Sequence, residues 1–164
     1  VPRDVSYPKE KGSEIMKKFR WSELNHLQIG RYAEYLAKME FTAFGFDVFN
    51  AEVDDKGIDF ILRKDNLHYY DVQVKSSREL SYIFFSKDKF VLSQNLLAVV
   101  VLFENDKSAS LYIIPSDVWQ NPTSLFVSRE YEGKKSKPEW GLNLSQKNLI
   151  ELEQYQFENM VEKL

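Results

Sequence analysis

Apolar residues return at helical spacing in the first patterned stretch, "SELNHLQIGRYAEYLAKMEFTAFGF". Leu24, Leu27, Tyr35, Leu36, Met39 and Ala43 carry that spacing and predict an amphipathic helix with these residues on its buried side. Ser22 is its expected cap and Gly45 its stop. The period then changes to two. "FDVFNAE" predicts a short strand, "VDDKG" a turn, "IDFILR" a second strand, "KDN" a turn and "LHYYDVQVK" a third strand. The second and third strands pair as a hairpin, and Ser76 and Ser77 are read as ending it. "SKDKFVLSQNL" reads as a short helix or an irregular link. "LAVVVLF" is apolar without alternation, as in a strand buried on both faces. "ASLYIIP" reads as an edge strand that Pro115 ends. "SDVWQN" reads as a helical turn. "TSLFVSREYEGKKSKPEWGLNL" reads as strand pieces around a basic loop. "SQKNLIELEQYQFENMVEKL" reads as one C-terminal helix burying Leu149, Leu152, Tyr155, Phe157 and Val161.

Helix, three strands, link, two strands and helix predict an α/β domain with a mixed central sheet flanked by helices. The strands are adjacent rather than separated by helices, which excludes a TIM barrel and a doubly wound nucleotide fold. There is no glycine-rich phosphate loop. At 164 residues and 43% hydrophobic, the chain is expected to form one core, with a polar arm over 1–20 and a single domain over 21–164. Its 15% aromatic content argues against disorder. The net charge of −3 removes a whole-protein basic field for nucleic acid and leaves room for a local basic patch. The chain has no cysteine, which excludes disulfides and cysteine-ligated zinc and is compatible with a cytoplasmic setting. No apolar run reaches the roughly 20 residues of a membrane helix, so no membrane partner is expected. "VPRDVSYPKEKGSE" lacks the apolar stretch of a signal peptide.

The chemistry begins with "YYDVQVKSS". Side chains two apart on a strand share a face. Asp71, Gln73 and Lys75 therefore lie on one side, with Tyr70, Val72 and Val74 on the other. In "GIDFILR", Asp59 is an acid among apolar residues, an arrangement that is unfavourable unless the acid is paired or binds a cation. Hairpin pairing brings Asp59 to the end of the partner strand, where Gln73 and Lys75 sit. Carboxylate and amide oxygens suit Mg²⁺, with the Val74 carbonyl as a further donor. A lysine beside metal-bound water can orient it or stabilise developing charge, which is the chemistry of phosphodiester hydrolysis.

"GID" followed by "VQVK" resembles the PD-(D/E)XK nuclease superfamily, in which an acid on one strand precedes acid-x-lysine on the next. "GRYAEYLAKMEFTAFGFDVF" resembles that superfamily's opening helix, whose site-facing glutamate would be Glu34. The resemblance spans residues 27–103 and implies a restriction-endonuclease-like core of helix, three strands, helix and strand. It further implies a metal-dependent endonuclease acting on DNA with Mg²⁺ (or Mn²⁺). Asp59, Gln73 and Glu34 would be its metal ligands and Lys75 the lysine that assists the attacking water. Cutting both strands would need a homodimer or repeated action. The chain departs from the pattern in having Gln73, which offers an acceptor without charge, and Ile58 where a proline often precedes the acid.

Each residue also has a plainer reading. Asp59 could cap its own turn, Lys75 could be a solvated strand end, Gln73 a structural amide and Glu34 one of several helix acids. Asp71 reads as a partner for a nearby cation. His26 and His68 lack nucleophile or metal partners and read as structural or surface residues. The basic loop of Lys134, Lys135 and Lys137 with Arg129, and the pair Lys87 and Lys89, are candidate phosphate contacts if DNA binds. Tyr112, Trp119 and Trp140 read as packing aromatics, and "LSYIFFS" as strand or loop packing. The alternative to the enzyme is a non-catalytic nuclease-fold module that binds nucleic acid or protein. The acidic composition and Gln73 favour that module. Retention of Asp59 and Lys75 together favours the enzyme.

Overall fold

The computed structural model describes residues 19–52 and 56–164. The polar arm and the first half of the "VDDKG" turn lie almost wholly outside these residues.

Helix α1 (His26–Ala43) begins at Asn25, not Ser22. The Asn25 side chain accepts the Gln28 N–H at 2.9 Å, and the Gln28 side chain accepts the Asn25 N–H at 2.9 Å. This reciprocal box satisfies two helix-start donors. Ser22 instead bonds Asn105 across the fold. Gly45, at φ +87°, takes the left-handed turn after the helix, as its position predicts.

The buried side of α1 is Ile29, Ala33, Ala37 and Phe41. Of the residues expected there, Leu27, Tyr35, Met39 and Ala43 are exposed. The two alanines let the helix backbone approach the sheet closely. Bulk at Tyr35 and Met39 would hold it off, so the stripe with small residues is the one that docks.

The strands are β1 (Asp47–Asn50), β2 (Phe60–Arg63), β3 (Tyr69–Ser77), β4 (Tyr82–Ser86), β5 (Leu96–Leu102), β6 (Ser110–Pro115), β7 (Phe126–Arg129) and β8 (Glu139–Asn143). One sheet has the order β1-β2-β3-β5-β6 and a second the order β4-β8-β7. β2 and β3 are antiparallel, in the expected hairpin, and β3 and β5 are parallel. Ser76 and Ser77 stay inside the ladder, opposite Val101 and Leu102, so the strand runs past the point where it was expected to stop.

All seven residues of β5 are buried. Leu97, Val99 and Val101 join the core under α1, while Leu96, Ala98, Val100 and Leu102 join the core against the second sheet. This two-sided burial is why the segment does not alternate. β6 lies at the sheet edge. Its Ile113 N–H donates to the Tyr155 carbonyl at 2.8 Å, and Tyr112 bridges Gln156.

That contact breaks the expected single C-terminal helix into a 3-10 turn (Gln146–Asn148), α2 (Leu149–Glu153) and α3 (Phe157–Val161). Backbone groups of residues 155 and 156 serve the β6 edge and so are lost to a continuous helix. Leu152, Phe157 and Val161 are buried as expected, with Met160 beside them.

No helix links β3 to β5. Residues 87–95 are irregular, and the crossover instead passes through β4 in the second sheet. The helix that the resemblance implies at that point is absent among the described residues. The resulting architecture is α1 and α3 on one face of a mixed sheet, with the second sheet and α2 on the other. No helix of the described residues is long and apolar enough to cross a membrane.

Candidate active site

The site is built where β2 begins and β3 nears its end. β2 pairs with β3 from Phe60 opposite Val72. One step back, the Asp59 N–H still donates to the Val72 carbonyl at 2.8 Å. Continuing the register puts Asp59 opposite Gln73. There β2 stops as a strand, and the Asp59 carboxylate takes over its role. Its Oδ2 accepts the Val74 N–H at 2.6 Å. A charge-assisted bond of this kind is among the stronger ones. It fixes the carboxylate against the β3 backbone, so capping and orientation are served by one contact.

Strand parity does the rest. Val72 is buried, and Tyr70 and Val74 pack beside it in the core under α1. Asp71, Gln73 and Lys75 project from the opposite face. Gln73 Oε1 is buried, and no hydrogen-bond donor reaches it among the described residues. Leaving such an acceptor unsatisfied costs about 1–3 kcal/mol. Lys75 Nζ lies 5.8 Å from the Phe85 ring centroid and makes no ion pair among the described residues. Burial pushes the Asp71 carboxyl above the usual carboxylate range, and the charge of Lys56 opposes that shift. Asp71 makes no ion pair among the described residues, so the reading of it as a cation's partner finds no bonded cation.

Glu34 and Asp59 line the same cleft of about 350 Å³, together with Arg31, Tyr35, Lys38 and Asn50 among others. Glu34 pairs with Arg31 at 3.0 Å. An exposed pair one helical turn apart is worth only about 0.3–0.5 kcal/mol, so it holds Glu34 weakly. Gln73 and Lys75 do not line this cleft. The structure thus joins Asp59 to Gln73 by register and to Glu34 across a cleft, with Lys75 farther along β3 on the side of the second sheet.

Among the described residues no three His, Asp or Glu side chains form a metal cluster. The donor set is two carboxylates and one amide. The orphaned Gln73 oxygen fits a hard cation, because a divalent ion is a partner that a buried lone acceptor lacks in the protein itself.

Lys87 and Lys89, alike in sequence, have different surroundings in the fold. Lys87 is engaged by Glu130 and Ser128, and its amine lies 3.8 Å from the Trp140 ring centroid. Arg129 stacks over Tyr82 at 4.2 Å and Lys137 pairs with Asp88 at 3.0 Å. Trp119 is buried and donates to the Gly141 carbonyl at 2.7 Å, and Trp140 donates to the Phe90 carbonyl at 3.1 Å. His68 is bound to Asp65 in the β2–β3 turn. These aromatic and histidine roles are structural, as the sequence suggests.

A polar cluster on the outer face of the second sheet had no local signal. Glu139 is buried and accepts the hydroxyls of Tyr82 and Tyr131, each at 2.8 Å. The segments that meet there are far apart in the chain, so only their pairing reveals it.

No family model matches the sequence, and no curated protein matches it. Among solved structures, the chain is similar to the bacterial homing endonuclease I-Ssp6803I at 17% identity and TM-score 0.52, covering 85% of this chain and 93% of that one. It is also similar to Hjc, a Holliday junction resolvase from the archaeal hyperthermophile Archaeoglobus fulgidus, at 14% identity and TM-score 0.44, covering 70% of this chain and 83% of that one. The likeness to the homing endonuclease extends over most of both chains, and the chain shares that protein's overall fold.

Proposed function

We propose that the protein is a metal-dependent endonuclease that hydrolyses phosphodiester bonds in DNA. The observation that carries this reading is the β2–β3 register. It sets the backbone-anchored carboxylate of Asp59 against Gln73, whose buried amide oxygen has no donor among the described residues, with Lys75 two residues on along the same face. The shared fold with a homing endonuclease supports the nuclease class.

Asp59, Gln73 and Glu34 would hold Mg²⁺ or Mn²⁺. Such an ion, when bound, polarises a phosphoryl oxygen and makes a bound water more acidic. The chain's own residues then have separate tasks. The Val74 N–H holds the Asp59 carboxylate in one orientation. Gln73 contributes a neutral oxygen, so the cation's charge is only partly neutralised and its pull on a phosphate is stronger, while its affinity for the site is lower. Lys75 keeps its positive charge available to orient the attacking water or to stabilise charge on the phosphoryl oxygens as the bond breaks. Glu34 already lines the cleft with Asp59, and can exchange Arg31 for a cation there with little loss.

A second reading has its own observation. Gln73 is neutral and Glu34 is already paired with Arg31, as expected of a non-catalytic module that retains the fold to bind nucleic acid or protein.

The test is cleavage of supercoiled, linear duplex, branched and single-stranded DNA with Mg²⁺ or Mn²⁺, alongside Lys75→Ala and Asp59→Asn. Metal-dependent cutting that both substitutions abolish supports the hydrolase. An absence of cutting on every substrate, together with no heat of Mg²⁺ or Mn²⁺ binding, sinks it and leaves the binding module.

A further inference from the structure

We propose that Lys89 binds a phosphodiester group of the nucleic-acid strand beside Gln73, forming a backbone-gripping subsite of the candidate cleavage site. The inference rests on the nucleic-acid reading above.

Three residues meet at Gly57, which adopts φ +71°. A Cβ placed there would lie 3.3 Å from Lys89 Cβ, 3.6 Å from Lys89 Cδ and 3.4 Å from Gln73 Nε2. The open face of the glycine is therefore where the lysine stem and the candidate site's amide come together. Any side chain at position 57 would be strained in that backbone conformation and would press on both.

The backbone at Lys89 is held on each side. Its N–H donates to the Ser86 carbonyl at 3.1 Å. Phe90, the next residue, is fully buried between Phe85 and Trp119. A lysine on such a base has less entropy to lose on gripping a ligand than one on a free loop.

Charge separates Lys89 from its neighbours. It lines a cleft of about 320 Å³ with Lys56, Asp71 and Asp88. Asp88 is engaged by Ser86 and Lys137, and the charge of Lys56 acts on Asp71. The Lys89 side chain is exposed and makes no ion pair among the described residues. Lys87, two residues earlier, is neutralised by Glu130. Lys89 thus brings to this cleft a cation with no ion pair among the described residues, next to Lys56 and with Asp71 and Asp88 on the walls, while its stem lies against Gly57 beside the Gln73 amide.

Lys89→Met keeps the apolar stem against Gly57 and removes the charge, and Lys89→Arg restores it. Binding of a fluorescein-labelled DNA duplex is read by anisotropy over a salt series in chelator, and cleavage is read separately with Mg²⁺. Lys89→Met is expected to melt like the wild type and to weaken binding about tenfold at low salt, as the loss of one charge-assisted bond implies. The slope of log K against log salt should fall by about 0.9, the signature of one lost phosphate contact. KM should rise with kcat little changed, and Lys89→Arg should restore both.

An unchanged slope and affinity overturn the proposal. If the wild type cleaves and Lys89→Met is indistinguishable from it, the subsite is refuted while the hydrolase stands. If the wild type binds but never cleaves, and the slope still falls in Lys89→Met, the subsite stands and the hydrolase falls. A wild type that neither binds nor cleaves DNA refutes both.

Discussion

Replacing Gln73 by methionine should make the metal-free protein more stable while removing its response to metal. The amide oxygen is buried without a donor among the described residues. Such an acceptor contributes an unfavourable 1–3 kcal/mol or so relative to an apolar group of similar shape. Methionine is close in length, unbranched and adaptable, so packing losses stay below about 1.5 kcal/mol. The net gain is of the order of 1 kcal/mol, or roughly 2–4 °C in Tm for a domain of this size. Thermal melts in EDTA read the gain directly. In the wild type, Mg²⁺ at a hundred times its Kd adds about 2.7 kcal/mol, and Gln73→Met should lose most of that increment. A methionine variant that melts below the wild type in EDTA would refute the reasoning, because the oxygen would then be contributing a favourable bond. Equal metal stabilisation of both proteins would remove Gln73 from the donor set.

Asn25→Ala should lose about 1 kcal/mol through the capping box, lowering Tm by roughly 2–4 °C without altering any DNA affinity; calorimetric melts and anisotropy check the two halves. Ala37→Leu should destabilise by about 1–3 kcal/mol, because it inserts bulk where α1 meets the sheet, whereas Met39→Ser on the exposed side should change stability by less than about 0.5 kcal/mol; urea unfolding would separate them, and the reverse order would mean the wrong helix face was assigned. Gly141→Ala would put a Cβ 2.1 Å from the Tyr82 hydroxyl oxygen, so the ring must leave Glu139 and Arg129, with an expected loss of about 2–4 kcal/mol in the same assay.

Burial, reinforced by the bond to Glu139, pushes the Tyr82 phenol well above its ordinary 10.0. The folded state then holds this proton after the unfolded state has released it. The associated stability is whole below pH 10 or so and declines as pH rises toward the folded value. The Tm difference between wild type and Tyr82→Phe should therefore shrink above pH 10, and a constant difference would contradict the assignment.

The two halves of the candidate site were legible to different degrees. Asp59, Gln73 and Lys75 were readable because a strand's period of two places every side chain on a face by local geometry alone. The juxtaposition of Asp59 and Gln73 needed only a hairpin, the shortest-range sheet contact. Glu34 was a weaker inference. Helix periodicity marks faces, but α1 has apolar groups on two of them, and the sheet selected the stripe with alanines. Lys87 and Lys89 could not be told apart in sequence, because the difference lies in Glu130, which strand pairing brings to Lys87.

Sequence by itself determined the strands of the central sheet, the hairpin and the doubly buried character of β5, since alternation and its absence are written over a few consecutive residues. Only the tertiary structure decided what docks on what. The three-stranded sheet assembles from β4 and from β7 and β8 far downstream. The C-terminal helix breaks where the β6 edge captures the Tyr155 carbonyl. Burial and pairing energies between distant segments exceed the fraction of a kcal/mol per residue by which local propensity prefers one conformation. The long-range contacts therefore set the docked face of α1, the outer polar cluster and the surroundings of Lys89.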